Sequence, residues 1–198
     1  MLVVRAGVER PGYPVAELSH GSVVTVGVYD GVHLGHQAVI SQVTALAAEL
    51  GAVAAVVTFD PHPAMVVRPD SAPMQLTTLA ERLALMGSLG VDIVYVVAFD
   101  DDASRESAAD FVQRVIVGSL AARAVVVGDD FHFGFRRQGN VDLLRSIGAV
   151  EGFVVHPIHL IGSTLGVAYS STEIRKAIVD GRTADAERML GRPLNPGT

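Results

Sequence analysis

The sequence has 198 residues, 49% hydrophobic and 18% charged, which suits one folded domain with its own core and excludes a disordered chain. A net charge of −6 argues against general nucleic-acid binding, which needs a basic surface. The absence of cysteine excludes disulfides, thiolate metal sites and cysteine nucleophiles. No apolar run of membrane-spanning length is free of charges or breakers, so a cytoplasmic protein is expected.

The first twenty residues carry Pro11, Gly12 and Pro14 and lack the pattern of a secretory leader. A β-branched run from Val23 to Val26 reads as a fully buried parallel strand. It breaks at Gly27, Asp30 and Gly31 and enters an amphipathic helix from Leu34 to Leu50, stopped by Gly51. Ala52 to Phe59 reads as a second buried strand, closed by Asp60-Pro61-His62-Pro63, whose two prolines predict a rigid extended loop. Residues Ala64 to Gln75 show no clear period and predict a flap over the sheet edge. Thr77 or Thr78 then caps a helix to Leu89, stopped by Gly90. Asp92 to Phe99 is a third strand, followed by a solvated turn at Asp100-Asp101-Asp102.

A helix from about Ser107 to Leu120 starts with Asp110 at capping-box spacing from Ser107. Ala124 to Gly128 is a fourth strand and runs into Asp129-Asp130-Phe131-His132-Phe133-Gly134-Phe135-Arg136-Arg137. A short helix (Val141 to Ile147), a strand (Gly152 to Ile158) and a brief strand or hairpin arm (Ser163 to Tyr169) come next. Ser170 caps a helix to Val179, and Gly181 separates it from a last helix, Ala184 to Leu190. Strands alternating with helices predict an α/β fold with a doubly wound parallel sheet. The loops at Tyr29–His36, Asp60–Pro63 and Asp129–Arg137 all follow strands, at the carboxyl end where such sheets bind ligands.

Lys176 is the only lysine, and neither a P-loop nor a G-x-G-x-x-G fingerprint is present. A protein of this composition that handles nucleotide phosphates does so with histidine, arginine and helix ends. His33 and His36 share one face of a helix start and can donate to phosphoryl oxygens beside Gly35. The same spacing also fits two histidines packed on the sheet, or a metal pair with Asp30. Ser171, Thr172 and Arg175 form a second anion-ready helix start, or an ordinary cap beside a surface arginine. Asp60–Pro63 lines a pocket or makes a rigid turn. The Asp129–Gly134 loop offers ring stacking with carboxylates for a ribose or a magnesium shell, or aromatic packing under a long loop. Arg136 and Arg137 are a phosphate lid or plain surface.

Taken together, Gly27 to Gln37, Thr58-Phe59-Asp60-Pro61-His62-Pro63, Val126 to Gly134 and Ser170-Ser171-Thr172-Glu173-Ile174-Arg175 occur in an order and spacing that a known family shares. The chain resembles the FMN adenylyltransferase (FAD synthetase) module of bacterial bifunctional riboflavin kinase/FAD synthetases, over nearly its whole length to Leu190-Gly191-Arg192-Pro193. The resemblance implies a Rossmann-like sheet of the nucleotidyltransferase type, and transfer of AMP from ATP to FMN with magnesium. It implies that His33 and His36 stabilise the α-phosphate and leaving pyrophosphate, and that Ser171, Thr172 and Arg175 hold the β- and γ-phosphates. Gly27, Tyr29, Asp30 and Gly35 would bring the first turn to the nucleotide. Asp60, Pro61, His62, Pro63, Asp129, Asp130, Phe131 and Phe133 would form the flavin side. The magnesium ligand and the oligomeric state are left open.

Three departures stand out. Val28-Tyr29 replaces the family's usual Asn-Phe, and His132 stands where an arginine is common. The kinase module that usually follows is absent after Asn195-Pro196-Gly197-Thr198. One domain over residues 1–198 that phosphorylates no riboflavin is therefore expected, as a truncated chain or a single-activity enzyme. The competing readings are another nucleotidyltransferase with the His-x-Gly-His element, or a non-catalytic flavin- or nucleotide-binding module.

Overall fold

Residues 1–7, 18–159 and 169–194 are described by the computed structural model of the protein. Six parallel strands form one sheet in the order β1-β4-β3-β2-β5-β6: β1 Leu2–Ala6, β2 Ser22–Val26, β3 Val53–Asp60, β4 Ile93–Ala98, β5 Ala122–Gly128 and β6 Val154–Ile158. The chain winds from β2 outward through β3 and β4, then returns to the other side of β2 for β5 and β6. The strand order therefore reverses between β2 and β5, and a crevice opens at their carboxyl ends. The architecture is an α/β, Rossmann-like doubly wound parallel sheet. β1, at the edge beside β4, was not foreseen: it is a five-residue strand whose consecutive Leu2 and Val3 stay exposed, so it shows neither a period of two nor a long apolar run.

Helices cover both faces, as a sheet buried on both sides requires. Helix α1 (Leu34–Leu50) lays Val39, Val43 and Ala47 on Val23, Ala54, Ala124 and Val126. Beside it, α3 (Leu79–Ser88) packs Met86 against Val56, Val94 and Val96. The opposite face carries Val24, Val57, Tyr95 and Val125 against α5 (Ala108–Phe111), its continuation Val112–Ser119, and α6 (Val141–Glu151). Gly51, at φ 61°, ends α1 with its N–H turned back to the carbonyls of Ala47 and Ala48.

Several expectations are corrected. Pro63 starts a short helix, α2 (Pro63–Val67), in place of an extended loop and flap, because a proline is preorganised for a first helical turn and His62 Nδ1 accepts the Ala64 N–H (3.0 Å). A 3₁₀ turn at Pro69–Ser71 follows. The acidic turn opens α4 (Asp101–Arg105), with the Asp100 carboxylate accepting the Ala103 N–H at 2.8 Å. Val112–Ser119 is wound as a π-helix, which the apolar period does not reveal. Within it Arg114 makes a two-pronged pair with Glu106 (2.7 and 2.7 Å). α6 runs four residues past the predicted Ile147, to Glu151. The arm predicted at Ser163 to Tyr169 lies outside the described residues except for Tyr169. Last come α7 (Ser171–Val179) and α8 (Thr183–Leu190), which share a small core of Ile174, Ala177, Ala186, Met189 and Leu190 with Leu76.

Candidate active site

The turn after β2 sets two largely buried imidazoles at a helix start. His33 caps α1, and its Nδ1 accepts the His36 N–H at 3.3 Å. In the neutral ring the remaining proton then sits on Nε2, an available donor. The two rings stack 3.6 Å apart, and Tyr29 meets His36 edge-on at 4.8 Å. Burial pushes the His33 imidazole down to about 4; Asp30 opposes this, while Arg175 and Arg192 reinforce it. Burial first, and then its neighbour His33, holds His36 well below the ordinary histidine range. His36 Nδ1 is buried and has no hydrogen-bond partner among the described residues. Two neutral imidazoles at a helix N-terminus can each donate one N–H to a developing phosphoryl charge.

Backbone strain concentrates here. Tyr29 (φ 55°) and Val32 (φ 40°) hold left-handed conformations that cost about 1–3 kcal/mol each. Asp30 offsets this by tying the turn down. Its buried carboxylate accepts the N–H groups of Leu76 and Thr77 (3.0 and 3.0 Å) and the Thr77 hydroxyl (3.1 Å), and it pairs with Arg175. Ser171 donates its hydroxyl to the Asp30 carbonyl (2.8 Å), and Gln37 Nε2 reaches the carbonyls of Val32 (3.0 Å) and Leu190 (3.1 Å). The α7–α8 pair is thereby clamped onto the histidine turn. Gly31 permits the contact: at φ 85°, a Cβ would meet Leu76 Cδ1 at 2.9 Å. A Cβ on Gly35 would crowd the His33 ring and the Tyr169 carbonyl at 3.2 Å each, so this glycine serves the ring stack as well as ligand approach.

Beside this turn, the ends of β2, β3 and β4 and the loop after β5 enclose a cavity of about 710 Å³. Gly27 and Val28 line it at the strand leading into the histidines, and Phe59, Phe99, Phe111, Phe131, Phe133 and Pro63 supply apolar walls. Phe131 and Phe133 stack at 5.2 Å, and Phe133 continues to Phe111 at 6.0 Å. Gly134 (φ 71°) lets the loop press on the Ala108 backbone, where a Cβ would come within 2.6 Å. Arg136 and Arg137 stand at the rim.

Residues 15–173 match the sequence pattern of the FAD synthetase family. The chain belongs to the FAD synthetase family. It is 42% identical over 174 residues to a bifunctional riboflavin kinase/FMN adenylyltransferase of Pseudomonas fluorescens and 36% identical over 174 residues to that of Escherichia coli strain K12. Each alignment spans 88% of this chain and 55% of the relative, so the chain spans little more than half the length of these curated relatives. The crystal structure of a macrolide-efflux protein from Streptococcus pneumoniae superposes with a TM-score of 0.81 at 26% identity, over 98% of this chain and 63% of that one. Among the described residues no helix is long and apolar enough to cross a membrane.

Within that family, the placement of the residues singled out in the sequence is informative. His33, His36, Gly35, Ser171 and Arg175 meet around one turn, with exposed Thr172 at the rim of α7. Tyr29 is buried with its hydroxyl on Thr25 (2.7 Å), and burial pushes its ionisation up, so it supports the turn from below. Asp60 lies between Arg5 (3.5 Å) and Arg82 (4.0 Å), across a cis bond from exposed Pro61. His62 caps α2 through Nδ1 and does not line the cavity; burial lowers its pKa, with the charge of Asp30 opposing this. Asp129 is exposed and bonded to His159 (2.6 Å); Asp130 is exposed, with its carbonyl against His132 Nδ1 (2.7 Å). Arg82 escaped the sequence reading. It is buried under the site, with Nη1 donating to the carbonyls of Val28 (2.9 Å) and Phe59 (3.2 Å). The available signal was a lone arginine on the apolar face shared by Leu79, Leu83 and Met86.

Proposed function

We propose that this chain is an FMN adenylyltransferase that transfers AMP from ATP to FMN, giving FAD and pyrophosphate. The reading is carried by one juxtaposition: a flat-ring-sized aromatic cavity that ends, through Gly27 and Val28, at a helix start bearing two neutral imidazoles. An isoalloxazine ring suits the wall of Phe131, Phe133 and Pro63, while Asp60, Pro61, His62, Asp129 and Asp130 do not line the cavity and would act from the segments next to it. A ring seated there directs its phosphate toward His33 and His36. In the reaction an FMN phosphate oxygen attacks the α-phosphorus in line. One P–O bond forms as the bond to the β-phosphate breaks, and the electron pair leaves on pyrophosphate.

The protein's part is to position the groups and to stabilise charge. His33 Nε2–H and His36 donate to oxygens whose charge grows in the transition state, at the positive end of α1. The first turn of α7, with Ser171 and Thr172, holds the outer phosphates, and Arg175 orients that turn through Asp30. Among the described residues no group of three or more histidine or acidic side chains could cage a metal ion. That suits magnesium entering with ATP as substrate, held by its phosphates and at most a carboxylate or two. A cytoplasmic location belongs to the same proposal.

The test is to incubate the chain with FMN, ATP and magnesium, separate the flavins by chromatography and measure pyrophosphate, with riboflavin replacing FMN in a parallel reaction. FAD and pyrophosphate appearing in equal amounts from FMN are expected. FMN binding without FAD would leave only a binding module, and neither binding nor turnover would turn attention to other nucleotidyltransferase substrates.

A further inference from the structure

Arg192 lies just beyond α8, and its charge on His33 is its one part in the site described so far. Gly191 there adopts φ 71° and approaches α1 so closely that a Cβ would meet Leu34 Cδ2 at 2.7 Å. The Gln37 amide ties this junction to the histidine turn through Leu190 and Val32 (3.1 and 3.0 Å), and the Leu194 N–H closes back on Glu187 Oε1 at 3.1 Å. The arginine between these anchors is held against the first turn of α1. Its Nη1 is buried and has no hydrogen-bond partner among the described residues. The two residues before it lie on the first turn of α1, Leu190 bonded to Gln37 and Gly191 against Leu34, and its charge acts on His33. Glu81, whose charge acts on Arg192, is engaged by the N–H and hydroxyl of Thr78 (2.8 and 2.8 Å). Arg175, the cation that the sequence offers for phosphate, spends Nε on the Met74 carbonyl (2.6 Å) and Nη2 on Asp30.

A buried cationic donor without an acceptor is unfavourable, and a phosphoryl oxygen arriving at the turn relieves it. We propose that Arg192 is a substrate-binding residue whose guanidinium takes a phosphoryl oxygen of the triphosphate seated on the His33–His36 turn. This rests on the nucleotide reading of that turn; the flavin half of the proposed function is not needed for it.

The experiment compares the full chain with its Arg192→Gln and Arg192→Lys variants. Pyrophosphate and ATP affinities are measured by calorimetry, FMN affinity by fluorescence quenching, and Tm by thermal unfolding. Arg192→Gln is expected to weaken pyrophosphate and ATP binding about tenfold or more. The lysine variant should recover part of that loss, with FMN affinity and Tm unchanged. Unaltered pyrophosphate affinity in Arg192→Gln would overturn the proposal, as would a parallel loss of FMN affinity and Tm, which marks a packing role. Should the unmodified chain make no FAD, adenylyl transfer alone fails. The pyrophosphate titration still decides Arg192, for it on a tenfold loss and against it on none.

Discussion

Neutrality is the property on which the histidine pair depends, and burial produces it. The unfolded chain protonates an imidazole near pH 6.5, whereas folded His33 does so only at about 4, and burial holds His36 well below the ordinary range as well. Between those values the unfolded state binds more protons. Stability is therefore full above pH 6.5 and falls as the pH drops toward 4. Urea midpoints at pH 7.5, 6 and 5 should fall in that order, and the His33 ring should show no NMR titration step near 6.5. A step there would remove the buried neutral pair. His36→Ala deletes one of the stacked donors together with its edge contact on buried Tyr29. FAD formation should drop about 10²-fold or more, with FMN affinity retained; equal turnover in the variant would end its assignment.

At the scale of elements, α3 and the α7–α8 pair hold the site in place. α3 contributes Arg82, whose guanidinium joins the carbonyl ends of β2 and β3 at Val28 and Phe59. Arg82→Met leaves those buried carbonyls short of a donor. It should cost about 3 kcal/mol in denaturant unfolding and raise KM for both substrates, because both strand ends border the cavity. The α7–α8 pair is held by its own small core and docks on the histidine turn. Ile174→Ala, at a fully buried position, should cost about 2–5 kcal/mol and weaken ATP binding more than FMN binding. Loss of both affinities in equal measure would show that α7–α8 supports the flavin cavity as well. These helices were legible as helices from their caps, Thr78 and Ser170, and their apolar spacing. The π-wound stretch was not, since its extra residue per turn leaves the same apolar residues to be buried.

For the whole molecule, the reversal of strand order between β2 and β5 decides where a ligand can sit. The aromatic cavity and the histidine turn share the end of β2, so filling the cavity stabilises the elements on both sides. FMN at a hundredfold its Kd should add about 2.7 kcal/mol and raise Tm by roughly 5–10 °C, read by thermal unfolding with and without flavin. No shift at concentrations that saturate binding would place the flavin outside the folded core.

By itself the sequence determined the alternation of buried strands and capped helices, the parallel sheet that follows from it, and the motifs at the strand ends. Each of these depends on near neighbours along the chain: β-branched runs, glycine stops, and hydroxyl or carboxylate caps. Only the tertiary structure decided what those motifs do to one another. Asp30, Leu76, Thr77, Ser171 and Arg175 come together from three distant segments. That meeting turned Asp30 into a clamp and engaged Arg175, and Gly191 brought Arg192 to the same turn. Such pairings join groups as many as 145 positions apart in the chain, beyond the reach of any local pattern, and fold topology alone brings them into contact.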